Sequence, residues 1–262
     1  MVDIFIRFFF AAVLGACFGS FANVVAIRLH DASSLLGRSK CPACDHLIRP
    51  RHLVPIFSWL ALRGACADCG AKIHIQYPLV EIAAACLAII AASRFDPFVF
   101  PWMFAGEFFL SLALLVMVVM DIRWQELPLE LMAAVGVIGA VARLLFAANH
   151  GVFLDELYSI GIALIVACAF FGIQWMLSRG RWLGSGDIWF AAMMAGVLAW
   201  PLAGIGIYLA YLVGGSVVLV LFLCGIVKRG MRVPFAPALA LGTLLALWFG
   251  PSIQAWLLYA FS

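Results

Sequence analysis

Four thiols and two carboxylates in this sequence have the types and spacing to do chemistry. Cys41-Pro42-Ala43-Cys44 and Cys66-Ala67-Asp68-Cys69 are two C-x-x-C pairs with 21 residues between them. A tight turn lets the two thiolates of a pair approach one ion, and two pairs complete the closed tetrahedral shell of a structural zinc site. Disulfides or a redox-active thiol pair are the other uses of the pattern, and the redox state of the loop's compartment decides among them. His46, His52 and His74 lie in the same stretch, where four thiolates leave an ion no vacancy. Cys17, Cys86, Cys168 and Cys224 stand inside apolar runs and read as small buried hydrophobes.

The carboxylates are Asp121, directly after the apolar run Leu114–Met120, and Asp187, directly after Gly184-Ser185-Gly186. Acids at a membrane edge are costly, which singles these out. Two aspartates on different helices, brought close, share one proton. The ionised member can then activate water while the other protonates or hydrogen-bonds a peptide carbonyl, which is aspartic-protease chemistry. Gly184 and Gly186 would let a substrate backbone come close to Asp187. Position alone leaves a second reading open, in which each aspartate only caps or ends a helix, Asp187 standing at a helix start where an acid is favoured. Of the remaining acids, Glu81 stands near the end of an apolar run, Glu126 and Glu130 read as headgroup-level groups in water, and Glu107 falls toward the far end of its run.

The elements that must position these groups follow from composition. Of 262 residues 66% are hydrophobic and 11% charged, against about 45–50% and about 25% in soluble domains. So few polar groups cannot cover such a chain, and a bilayer must. The net charge of +3 is too small for a nucleic-acid binder. Eight apolar runs have the length of membrane spans, over 4–27, 77–93, 101–120, 128–148, 157–178, 186–200, 202–226 and 235–260. The last two spans before 235 are split at Pro201 because 186–226 as one helix would reach about 60 Å, twice the hydrocarbon thickness. The first run has no basic leader or small-residue cleavage site and is expected to be retained. Placing the 30–76 loop in the cytoplasm gives that side thirteen of the sixteen Lys and Arg, leaving Arg7, Arg94 and Arg143 elsewhere. The turns near Asp121 and Asp187 then share the inner face with the cysteine loop, where thiols stay reduced and zinc is favoured. The expectation is an all-α polytopic membrane protein of about eight transmembrane helices. Its first helix covers 1–29, a cytoplasmic zinc-binding loop 30–76, and a seven-helix membrane domain 77–262. Gly15 and Gly19, one turn apart, suit close helix packing, and Asn23, Arg28 and Gln174 suit polar contacts between helices.

The ordered motifs resemble those of the type IV prepilin peptidases, over nearly the whole chain. They are Gly19-Ser20-Phe21-Ala22-Asn23-Val24 with Arg28-Leu29; the cysteine pairs enclosing Phe57-Ser58-Trp59-Leu60 and Arg63-Gly64; Tyr77-Pro78-Leu79-Val80-Glu81; Asp121 with Leu127-Pro128; Gly184-x-Gly186-Asp187; and Pro234-Phe235-Ala236-Pro237 with Gly242. The resemblance implies that Asp121 and Asp187 are the catalytic pair of an enzyme in the bacterial inner membrane. Such enzymes cut the short basic leader of type IV prepilins or pseudopilins after a glycine at the cytoplasmic face. It implies further that the new N-terminus is methylated from S-adenosylmethionine, and it offers Glu81 a supporting part in holding the substrate amine, the leader bases or the methyl-transfer pocket. Two positions depart from the pattern: Trp189 stands where similar enzymes carry Lys, and Leu129 where they carry an acid. A transporter with buried acids, or a membrane thiol oxidoreductase using the C-x-x-C pairs, are the rival readings; the chain shows no inverted repeat, and its acids gather at one membrane edge rather than at a midplane.

Overall fold

The computed structural model describes residues 2–181, 183–228 and 233–260, so Arg229 and Arg232 of the charge count lie outside the described residues. The helices are α1 (Val2–His30), α2 (Phe57–Ala61), α3 (Gln76–Arg94), α4 (Pro101–Trp124), α5 (Leu129–Asn149), α6 (Phe153–Ser178), α7 (Ser185–Leu198), α8 (Leu202–Leu223) and α9 (Ala236–Ala260), with one 3-10 turn at Pro50–His52. Each of the eight apolar runs is therefore helical. Among the described residues, seven helices are long and apolar enough to cross a membrane. The eighth, α7, has 14 residues and reaches only about 21 Å, short of the roughly 30 Å hydrocarbon core. The chain breaks near Pro201 as expected. That turn contains a cis Trp200–Pro201 bond and is fastened to α6 by Ser159, whose hydroxyl donates to the Trp200 carbonyl at 2.7 Å and accepts the Trp200 N–H at 3.1 Å.

The chain forms two compact units, Met1–Met120 and Asp121–Ser262. In the first, α1 packs along α3. A Cβ on Gly15 would stand 2.6 Å from the Ala84 carbonyl oxygen, and one on Gly19 2.7 Å from Glu81 Cα, so the two backbones touch. Ala11, Ala88, Ala91 and Ala92 continue this small-residue seam, and Phe104 and Phe108 of α4 fill the space beside it. Asn23 is fully buried. Its amide donates to the Tyr77 carbonyl at 3.2 Å and its oxygen accepts from Gln76 at 3.2 Å, which ties the end of α1 to the start of α3. Gly19→Ala should cost about 1–3 kcal/mol, because the obstructing atoms are backbone or, at Ala84, a Cβ fixed to it, and cannot step aside. Thermal unfolding in detergent checks this, with Gly106→Ala, whose added methyl meets nothing within 4 Å, as the neutral control.

In the second unit α7 lies among α5, α6, α8 and α9. Phe190, Ala191 and Met193 to Leu198 are all buried, as an all-round apolar helix requires. Glycines again set the closest approaches: a Cβ on Gly196 would meet the Gly136 carbonyl of α5 at 2.5 Å, and one on Gly242 of α9 would run into the Gly206 carbonyl of α8.

Arg7, Arg94 and Arg143, the bases left off the inner side by the charge count, are each ion-paired, to Asp96 at 3.3 Å, to Glu107 at 2.9 Å and to Glu156. Pairing lowers the cost of holding a base near apolar surroundings. The span cysteines are not generally buried: Cys17, Cys86 and Cys224 are exposed and Cys168 half-buried. The cause is physical: an apolar side chain in a membrane span is as well accommodated by lipid as by a protein core.

Candidate functional site

In the first unit each C-x-x-C pair sits at the tip of a small hairpin. The bridge Lys40 with Leu47 closes the first and Ala65 with Lys72 the second. The two knuckles repeat the same bonds: Cys41 N–H donates to His46 and receives Asp45 N–H at its own carbonyl, as Cys66 donates to Ala71 and receives Gly70. The residue after each second cysteine turns left-handed, Asp45 at φ 55° and Gly70 at φ 72°, which aspartate and glycine tolerate best. The four sulfurs lie within 4.8 Å of one another. A tetrahedron with Zn–S bonds of about 2.3 Å has edges of about 3.8 Å, and Cys41 Sγ to Cys69 Sγ is 3.9 Å. Backbone N–H groups of Cys69 and Asp68 bring the Cys66 thiol down to about 7. At Cys44 the His46 backbone also pulls the thiol down, but desolvation and the neighbouring thiols of Cys69 and Cys41 outweigh it and push it up to about 12. Thiols this close can all ionise only with a cation among them, so the donor set fits a metal. His46 and His74 are exposed, outside the cluster.

Glu81 is buried on α3. Its Oε2 accepts the Ile56 N–H at 2.7 Å, and Ser20 also hydrogen-bonds to it. Ile56 has φ 64°, an unfavourable conformation for a β-branched residue. The carboxylate therefore joins α1, α3 and a strained turn of the cysteine loop.

In the second unit Asp121 ends α4 and Asp187 opens α7, both buried. Asp121 Oδ2 accepts the N–H of Ala236, the first residue of α9, at 2.9 Å. Asp187 Oδ2 accepts the Gly184 N–H at 2.9 Å. Capping is thus real at Asp187, but it uses one oxygen. Neither Oδ1 has a hydrogen-bond partner among the described residues, and both aspartates line one cavity of about 500 Å³. Their charges act on each other across it. Gln125, Leu127, Arg181, Gly184, Gly186 and Phe235 complete much of the wall. A Cβ on Gly184 would stand 3.6 Å from Asp187 Oδ2, in ordinary contact, whereas one on Gly186 would stand 3.0 Å from Leu127, so Gly186 admits that side chain. Glu126 and Glu130 are exposed, and Glu107 is held by Arg94 in the other unit.

Sequence reading missed the Ala236 N–H, which leaves no trace in side-chain identity. It also missed the group beneath Phe235, where Tyr211 packs edge-on to the Phe235 ring at 5.1 Å and donates its hydroxyl to Gln174 at 2.9 Å. Gln174 is one of the polar groups suited to contacts between helices, and the tyrosine in the facing apolar run is the available signal for its partner.

Fold and site together define a multi-pass membrane protein with a buried pair of acids and a separate four-thiol centre. Residues 13–95 match the bacterial peptidase A24 N-terminal domain and residues 108–226 the type IV leader peptidase family. A prepilin leader peptidase/N-methyltransferase of Stutzerimonas stutzeri is 31% identical over 94% of this chain and 91% of its own length. Proteins of the same name are 30% identical in Bacillus subtilis, over 92% of this chain and 94% of theirs, and 30% in Pseudomonas aeruginosa, over 92% and 90%. No solved structure matches. The chain belongs to the type IV leader peptidase family, which sets aside the transporter and thiol oxidoreductase readings.

Proposed function

We propose that this protein is a membrane aspartic endopeptidase of the bacterial inner membrane, with its active site facing the cytoplasm. It removes the basic leader of type IV prepilins or pseudopilins after a glycine, and then methylates the new N-terminus. The observation that carries the peptidase reading is the pair Asp121 and Asp187, each fixed through one oxygen by a backbone N–H and each keeping its other oxygen for a shared cavity. In that arrangement one ionised carboxylate takes a proton from water as the oxygen attacks the scissile carbonyl. The protonated partner hydrogen-bonds that carbonyl, and a proton passes to the departing amine. The backbone bonds hold both groups without using the oxygens that must exchange protons. A substrate anchored by its own apolar helix would bring its leader junction to the membrane edge, where α4 ends and α7 starts.

Cys41, Cys44, Cys66 and Cys69 would hold a structural Zn²⁺ that folds the loop and takes no part in the chemistry. Glu81 acts as a positioning residue for that loop, through Ile56. Gly184 leaves room for substrate beside Asp187, and Gly186 seats Leu127. S-adenosylmethionine is the methyl donor by the name of the relatives; the chain carries no glycine fingerprint of a dinucleotide fold. Incubating the purified protein with a prepilin carrying a Gly-Phe junction, with and without S-adenosylmethionine, tests both steps by mass spectrometry. A product shortened at that junction is expected in both, and one additional methyl group only with the donor. An intact prepilin would refute the peptidase, and a shortened but never methylated product would refute the second step alone.

A further inference from the structure

The loop between α1 and α3 carries a surface that neither the thiol cluster nor the aspartate pair uses. Leu53, Val54, Phe57 and Leu60 are exposed, Phe57 to 72%. Phe57 and Leu60, three residues apart, share one face of α2, and Leu53 and Val54 stand in the bend that leads into it. Trp59 points the other way: it is half-buried, donates Nε1–H to the Ile73 carbonyl at 3.3 Å and covers Gly64. The loop thus folds onto its own tryptophan and turns four large apolar side chains outward. Arg49, Arg51 and Arg63, all exposed, flank them in the chain, and Arg49 also reaches Asp68 at 3.4 Å.

The hydrogen bond at Glu81 fixes the depth of this surface. Ile56 N–H meets Glu81 at 2.7 Å, and Glu81 lies five residues beyond the start of α3, about 7 Å along the helix axis. Residues 53–60 are therefore level with the first turns of a membrane span and not out in bulk water. Apolar side chains at that level face the boundary between headgroups and acyl chains, and arginines beside them find phosphates there.

We propose that residues 53–60 are an interfacial segment in which Leu53, Val54, Phe57 and Leu60 enter the lipid surface while Arg49, Arg51 and Arg63 bind anionic headgroups. A protein partner could also use an apolar patch. The fixed depth and the arginine frame favour the bilayer. The inference needs only the membrane reading of α1 and α3 and stands apart from the peptidase chemistry.

Photocrosslinking tests it in the full-length protein. Benzoylphenylalanine replaces Phe57, the protein is placed in nanodiscs of phosphatidylcholine alone or with phosphatidylglycerol, and adducts are identified by mass spectrometry. Phospholipid adducts are expected, several-fold more abundant with phosphatidylglycerol. In the variant R49Q/R51Q/R63Q that excess should fall at least about fivefold, the worth of one surface base. Adducts confined to the protein itself or to an added prepilin, or no lipid adduct at all, would overturn the proposal; equal yields in the two discs would overturn the part given to the arginines. Where the photoreactive residue prevents folding, hydrogen exchange of residues 53–60 in the unmodified protein replaces it. Slower exchange in discs than in detergent is expected, and equal exchange would overturn the insertion.

Discussion

Asp121→Asn and Asp187→Asn should each lower kcat for prepilin cleavage by at least about a thousandfold, the scale on which a positioned proton-transfer group contributes. Asparagine is the informative replacement because its amide oxygen can still accept the Ala236 or Gly184 N–H, so the geometry of α9 and α7 is retained. What is lost is the exchangeable proton. Since the two carboxylates act as a unit, the double variant should be scarcely worse than either single one. The change should appear in kcat and leave KM nearly as it was. Asp187→Ala should lose the helix cap as well, about 1 kcal/mol of stability, visible as a lower Tm that the asparagine variant does not show. Retained cleavage in either asparagine variant, with a normal gel-filtration profile, would remove the aspartate pair from the mechanism.

The second large effect concerns the thiol centre. The purified protein should carry one zinc per chain, and Cys41→Ser with Cys66→Ser should carry none. Structural zinc contributes on the order of 10 kcal/mol to domains of this kind. The loop has little else to hold it, because most of its large side chains are exposed. Trypsin should then cut at Arg38, Lys40, Arg51, Arg63 and Lys72 in the variant, or after chelation, much faster than in the metal-loaded protein. Acid should favour metal loss, since thiols must be deprotonated to bind. Mass spectrometry of the digest and metal analysis of the same sample check this. A zinc-free double variant with unchanged trypsin resistance would show that the loop folds without the ion.

What was legible in the sequence had a strong local signature. Runs of twenty apolar residues can only be helices in a bilayer, and all eight became helices near their expected bounds. Two C-x-x-C pairs converge because each knuckle is a self-contained turn. Gly15 and Gly19 were readable because their spacing places both on one helix face. The aspartates were visible as acids at span edges, and capping remained an alternative because Asp187 does cap α7 while still facing the cavity. The rest depended on contacts distant in the chain. Nothing marks Ala236 as a hydrogen-bond donor to a residue 115 positions earlier. Nothing marks Leu127 as the side chain that Gly186 makes room for, or Ile56 as the turn held by Glu81. Periodicity could not tell lipid-facing cysteines from buried ones, because both environments are apolar.

The bond from Ala236 to Asp121 also bears on how the protein is made. Both aspartates leave the ribosome well before α9 exists, and at roughly 5–20 residues per second the first waits several seconds or longer for its partner amide. In the later part of that interval the nascent chain carries both acids, but Asp121 still lacks the amide that its Oδ2 accepts from. On the proposed mechanism, a fragment ending before α9 would lack the amide that fixes Asp121 and is expected to leave prepilin uncut.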